Sequence, residues 1–316
     1  MPANAFDKAS RRAAKADPAA FFAWATGAPA DRLAFRGWLD TRAVPLPHEP
    51  DQIGDTVARV EDPAGTRNPW AVAVEFQSEP DPLMSGRLLV YLGYLWQSVK
   101  PDPAPGSRFS PGAVVVNLTG TGRASIDADW PEAGFGTHLR VVERNLASEN
   151  ADELLAGVES GRWSRAVLPW LPLMTGGDDA GIIDRWKALA DGEPNVRMKQ
   201  NYGGLALIFA GAAKRKPIWQ KALEGWNVIE SDVVKEWQAE GLAKGRAEGR
   251  AEGRAEGRAE GAAALVVAIL ESKFGNVPPE LEATVRGCSD LSNLQVWATH
   301  AASTATLAAF RAAAGL

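Results

Sequence analysis

Two short apolar runs joined by a block of turn formers limit the fold of this chain more than any other segment. The first reads Ile53-Gly54-Asp55-Thr56-Val57-Ala58-Arg59-Val60, the second Trp70-Ala71-Val72-Ala73-Val74-Glu75-Phe76-Gln77. Apolar β-branched residues recur in both, as in strands. Between them lies Glu61-Asp62-Pro63-Ala64-Gly65-Thr66-Arg67-Asn68-Pro69, dense in residues that close turns. An antiparallel hairpin is expected. A turn centred on Gly65 faces Val60 with Trp70, and the same register sets Asp55 opposite Glu75. Cβ atoms opposed in this way lie roughly 4.5–5.5 Å apart. Gln77 follows Glu75 by two and returns to its face, while Val72, Val74 and Phe76 point the other way into a core.

Two carboxylates that close do not both stay ionised unless a cation sits between them. Mg²⁺ suits such oxygen ligands and keeps waters that a substrate phosphate can displace. The spacing is therefore that of a hydrolytic metal site. The competing reading is plainer: acidic residues on a half-exposed hairpin often form only its solvated face.

The text beyond the hairpin bears on that choice. Asp55-Thr56-Val57 is followed by Val74-Glu75-Phe76-Gln77-Ser78, then Asp81-Pro82-Leu83-Met84 and Arg87-Leu88-Leu89-Val90-Tyr91. This order of aspartate, Glu-x-Gln-Ser, Asp-x-x-Met and Arg-x-x-x-Tyr resembles the Rpn group of recombination-promoting nucleases, also labelled YhgA-like transposases, within the PD-(D/E)XK nuclease superfamily. The similarity extends through the apolar strand Ala113-Val114-Val115-Val116-Asn117-Leu118, the Gly-Arg-Ala-Glu repeat and the helical C-terminal part.

The resemblance implies an α/β fold with a restriction-endonuclease-like core, its mixed sheet flanked by helices. It implies a DNA endonuclease dependent on Mg²⁺ or Mn²⁺, linked to recombination or mobile elements. Asp55 and Glu75 carry over as metal ligands. Gln77 stands where the superfamily has a basic residue; an amide is no general base and carries no charge, so its implied role is to orient water or a phosphate oxygen. Arg87 and Tyr91, four apart on a helix, share a face; Arg87 suits either a phosphate contact or a structural salt bridge. Many superfamily members add an acid from the first helix, for which Asp31 and Asp40 are the candidates. A first strand is expected within Ala43-Val44-Pro45-Leu46-Pro47, confined to an edge by its prolines.

At 316 residues and 46% hydrophobic content, the chain can build more than one unit. The expected division is a nuclease-like domain at 1–213, a charged helical linker at 214–261 and a helical module at 262–316. In the first part a helix is read over 20–40, with Phe21, Phe22, Trp24, Leu33, Phe35 and Trp38 as core candidates and a break near Gly27. A second is read over 82–99, and 139–145 is a candidate strand. Trp163, Trp170 and Trp186 read as core anchors. Cys288 stands alone, which excludes an internal disulfide framework and fits a reducing cytoplasm. His48, His138 and His300 lack ligand spacing, and no zinc site is legible. No apolar run reaches membrane-spanning length, and the N-terminal residues lack a signal-peptide apolar region. A cytoplasmic protein is expected.

The net charge of −5 sits awkwardly with DNA binding, which rests on Lys and Arg. A local basic stripe can suffice; Arg11, Arg12 and Lys15, or Lys214, Arg215 and Lys216, are the candidates.

From Lys244 to Gly261 the chain repeats every four residues. On a helix, Arg246, Arg250, Arg254 and Arg258 form one stripe, and Glu248, Glu252, Glu256 and Glu260 the opposite one. Like charges four apart repel, and each glycine costs about 1 kcal/mol against alanine. Two aligned copies relieve both, Arg stripe against Glu stripe, so a homo-oligomer through 245–260 and the C-terminal helices is one reading. A flexible charged linker is the other. The functional alternative to a nuclease is a catalytically inactive nuclease fold that scaffolds partners through this repeat and tail.

Overall fold

The computed structural model describes residues 3–29, 31–40, 56–102, 106–226, 228 and 232–316. The chain divides into two compact units, Met1–Lys235 and Glu236–Leu316.

In the first unit, α1 (Ala3–Ala16) and α2 (Pro18–Thr26) precede β1 (Ala34–Trp38), β2 (Val57–Glu61) and β3 (Trp70–Gln77). Asp17 ends α1 and caps α2, accepting the Ala20 N–H at 3.0 Å, with Pro18 in the first turn where its missing N–H costs nothing. The helix read over 20–40 stops at Gly27, which adopts φ +71°. Beyond it the chain forms an edge strand, with Phe35 and Trp38 packed beside Phe22. The strand expected at 43–47 lies outside the described residues.

The hairpin forms in the expected register. Val60 faces Trp70, Val57 faces Ala73, and the Val74 N–H reaches the Thr56 carbonyl at 2.9 Å. Gly65 takes φ +68° in the turn, a conformation that glycine adopts without steric cost. Asp55 lies outside the described residues, so its pairing with Glu75 is not among the observed contacts.

α3 (Met84–Ser98) crosses over to β4 (Ser110–Asn117), which runs parallel to β3. A two-stranded arm, β5 (Ile126–Trp130) and β6 (Phe135–Leu139), precedes β7 (Val142–Asn145), parallel to β4. The result is an α/β unit around a mixed five-stranded sheet ordered β1-β2-β3-β4-β7. α3 covers one face, where Leu88, Leu92 and Leu95 pack on Ala71, Ala73 and Val115. On the other face Phe76 stacks on Trp170 at 5.8 Å between ring centroids.

Trp170 belongs to a 3₁₀ run, Arg165–Leu173, set between α4 (Ala151–Glu159) and α5 (Ala180–Asp191). α6 (Val196–Ala212) and α7 (Lys216–Ala222) complete the packing. Trp170 and Trp186 are fully buried, as core anchors should be, whereas Trp163 is only half-buried. The first unit does not end at 213. Trp219 of α7 is fully buried, donates its indole N–H to the Gly177 carbonyl at 2.8 Å and meets the Trp186 ring edge-on.

α8 (Asp232–Phe274) is one continuous helix of 43 residues. The repeat and the start of the expected C-terminal module therefore belong to a single helix, with no break at 261. In the second unit, Ala263, Val266, Val267 and Leu270 of α8 pack with α9 (Pro279–Arg286), α10 (Leu291–Ser303) and α11 (Leu307–Ala314) around Leu281, Leu294 and Phe310. Among the described residues no helix is long and apolar enough to cross a membrane.

Candidate active site

The carboxyl ends of β3, β4 and β7 carry polar side chains on the α3 face. In register, Glu75 lies beside Val115, Gln77 beside Asn117, and Asn117 beside Asn145. Apolar residues fill this face further back along the strands, so the polar row marks where the core opens. In open α/β sheets such strand ends are where ligands bind. The Glu75 face is therefore not the solvated face of a free hairpin; it is roofed by α3.

Glu75 is half-buried. Its carboxylate accepts no hydrogen bond from the described residues, and desolvation raises its pKa. Arg87 on α3 and Arg11 on α1 oppose the rise, while Asp7 on α1 adds to it. A partly buried carboxylate without a donor is costly to keep ionised, which favours its protonated form unless positive charge lies close by. The first helix thus brings Asp7, rather than Asp31 or Asp40, into the electrostatic surroundings of Glu75. Asp31 instead lines a cavity beside Trp70, at the start of β3. Asp7 also forms an ion pair with Arg11 at 2.9 Å. Sequence reading missed Asp7 because α1 was not recognised as a helix.

Gln77 is buried, and its described contacts are internal. Its Oε1 accepts the Asp81 N–H at 2.7 Å, and its Nε2 lies 3.8 Å from the Met84 sulfur. Asp81 in turn accepts the Leu83 N–H at 2.8 Å and an Arg87 N–H at 2.9 Å. These bonds to Asp81 hold its pKa below the usual carboxylate range. Gln77, Asp81, Met84 and Arg87, residues that carried the sequence resemblance, thereby form one network at the head of α3. Arg87 makes the salt bridge that was one of its two expected roles. Tyr91 is buried one turn later, in the α3 core.

Asn117 and Asn145 were not singled out by sequence. The Asn117 amide donates to Asn145 Oδ1 at 2.8 Å, and the same oxygen accepts the Gly122 N–H at 2.9 Å. A Cβ on Gly122 would lie 2.8 Å from Asn117 Nδ2, so only glycine lets the loop pass this close. A lone asparagine ending an otherwise apolar strand was the available signal.

The β5–β6 arm gathers Asp127, Asp129 and His138. His138 Nδ1 lies 2.7 Å from Asp127 and Nε2 lies 3.1 Å from Asp129. The hydrogen bond that His138 donates to Asp127 and the charge of Asp129 raise the histidine pKa. With both ring nitrogens facing carboxylates, the geometry is that of a bridging imidazolium. All three residues are exposed, and the trio is no sign of Mg²⁺.

Lys15, Lys214 and Lys216 of the two expected basic stripes are exposed, but one arginine in each stripe is engaged. Arg11 is paired with Asp7, and Arg215 turns inward, donating to the Pro172 carbonyl at 2.9 Å and pairing with Asp178 at 3.3 Å.

No protein-family profile, curated protein or solved structure matches the chain.

Proposed function

We propose that this chain is a divalent-metal-dependent DNA endonuclease of the Rpn type. The observation that carries the reading is Glu75: a half-buried carboxylate at the carboxyl end of a central strand, with its pKa raised by desolvation and no hydrogen-bond donor among the described residues. In this reading Asp55 and Glu75 hold Mg²⁺ or Mn²⁺, and Asp7 adds negative charge to the site. A divalent ion held there would supply a bound water of lowered pKa and positive charge close to the reacting phosphate. Arg87 offers guanidinium N–H groups to a phosphate oxygen while one nitrogen stays on Asp81. Gln77 acts as a positioning residue, fixing the head of α3 and with it Arg87. DNA as substrate rests on the sequence resemblance.

The test is conversion of supercoiled plasmid in Mg²⁺ or Mn²⁺ by the full chain, Asp55→Ala and Glu75→Ala. Nicking by the wild type and none by either variant is expected. A folded wild type that leaves the plasmid supercoiled in both metals would overturn the proposal.

A second reading, an inactive fold that scaffolds partners, draws on α8. Its repeat side chains Arg246, Arg250, Arg254 and Arg258 are exposed, and a charged helix of this length offers a large surface to a partner or a second copy.

A further inference from the structure

The sheet carries a second opening, on the face away from α3 and toward the strand starts. A cavity of about 770 Å³ lies between α2, the β2–β3 turn and the first residues of β4. Phe22, Val72 and Val114 form its apolar floor, and Arg32, Arg67 and Arg140 stand around it. Trp70 walls one side. Its ring lies across Gly112, where a Cβ would approach Trp70 Cε3 to 3.1 Å, so the glycine lets an exposed tryptophan lie flat against β4.

The three arginines are exposed, and none forms an ion pair or side-chain hydrogen bond with the described residues. The Asp62 pKa is lowered chiefly by the hydrogen bond from Thr66, and the nearby charge of Arg67 adds to this without pairing. The acidic groups beside the cavity are mostly committed elsewhere. Glu61 is held by Arg36 at 3.0 Å and Arg59 at 2.6 Å. Asp62 accepts from the Thr66 hydroxyl and the Ala64 N–H. Asp31 is the lining carboxylate left without such partners. Three guanidinium groups without an ion pair among the described residues thus stand around the cavity with two carboxylates that no cation pairs, Asp31 and Asp62, in a chain whose net charge is −5. Small-molecule sites are apolar concavities of roughly 300–1,000 Å³ with a few polar groups that fix orientation, and guanidinium forks select carboxylate and phosphate heads.

We propose that this cavity binds a small amphipathic anion, with its apolar body over Phe22, Val72 and Val114 and its carboxylate or phosphate head among Arg32, Arg67 and Arg140. The site is separate from Glu75, which lies on the opposite face of β3.

The experiment is isothermal titration of the full chain with decanoate, decyl phosphate and decan-1-ol, repeated on Arg67→Ala/Arg140→Ala, Val72→Trp and Glu75→Ala. Both arginines are exposed and have no side-chain partner among the described residues, so the double variant should keep the wild-type melting temperature. Saturable one-to-one binding of at least one anion is expected, about tenfold or more tighter than the alcohol. The double arginine variant should lose that preference, Val72→Trp should block binding, and Glu75→Ala should bind as wild type. The preferred anion identifies the head as carboxylate or phosphate. Equal affinity for anion and alcohol, wild-type affinity in the double variant, or no saturable binding of either anion would each overturn the proposal.

Discussion

Gln77 Oε1 accepts the Asp81 backbone N–H at 2.7 Å, so a side chain at the end of a central strand sets the start of the helix that follows. Asp81 then holds Arg87, and the Glu-x-Gln, Asp-x-x-Met and Arg spacings become steps in one path from β3 into α3. The path places a guanidinium close enough to lower the pKa of Glu75.

Gln77→Leu keeps the volume and removes the acceptor, leaving the Asp81 N–H without its partner. A cost of about 1–3 kcal/mol is expected, read as a lower urea midpoint with an unchanged slope. Wild-type stability would show that Asp81 finds another acceptor.

Glu75 ties stability to pH. Its folded pKa lies above the ordinary glutamate value because of desolvation, so the protonated form favours the fold. That contribution is complete below the unfolded pKa and is lost as pH rises through the folded one. In chelator, Glu75→Gln should match wild type at about pH 4 and exceed it at about pH 7.5. Urea unfolding at both values checks this, and an advantage independent of pH would contradict it.

His138 should titrate above the ordinary histidine value, since Asp127 and Asp129 both favour its charged form. Asp127→Asn replaces the charged acceptor of the shorter hydrogen bond and should bring the titration down. Imidazole proton shifts followed by NMR decide this, and an unmoved midpoint would rule out the bridging imidazolium.

The repeat glycines of α8 have open surroundings: a Cβ at Gly249, Gly253 or Gly257 would meet nothing within 4 Å. Replacing all three with alanine should strengthen the helix by about 1 kcal/mol at each position, seen as greater far-UV circular dichroism at high temperature. Light scattering on the same protein tests the proposed oligomer. A loss of mass would mark backbones packed too closely across a dimer for a methyl group, and deletion of 245–260 with unchanged mass would argue against a dimer through the repeat.

Local pattern determined the hairpin and its register, α3, the apolar β4 and the helices of the tail. Each is written in short-range periodicity with turn or cap residues at its ends, as with Gly65 between β2 and β3 or Asp290 capping α10. The edge strand Ala34–Trp38 was misread as helix because five residues hold too little periodicity to outweigh an apolar neighbourhood, and only pairing with β2 makes them a strand. Tertiary structure alone decided that the Glu75 face lies under α3 rather than in water, because desolvation depends on what packs above a residue and not on its spacing. It likewise brought Asp7 toward Glu75 across 68 residues of sequence and set three exposed arginines around one cavity, relationships that no local pattern contains.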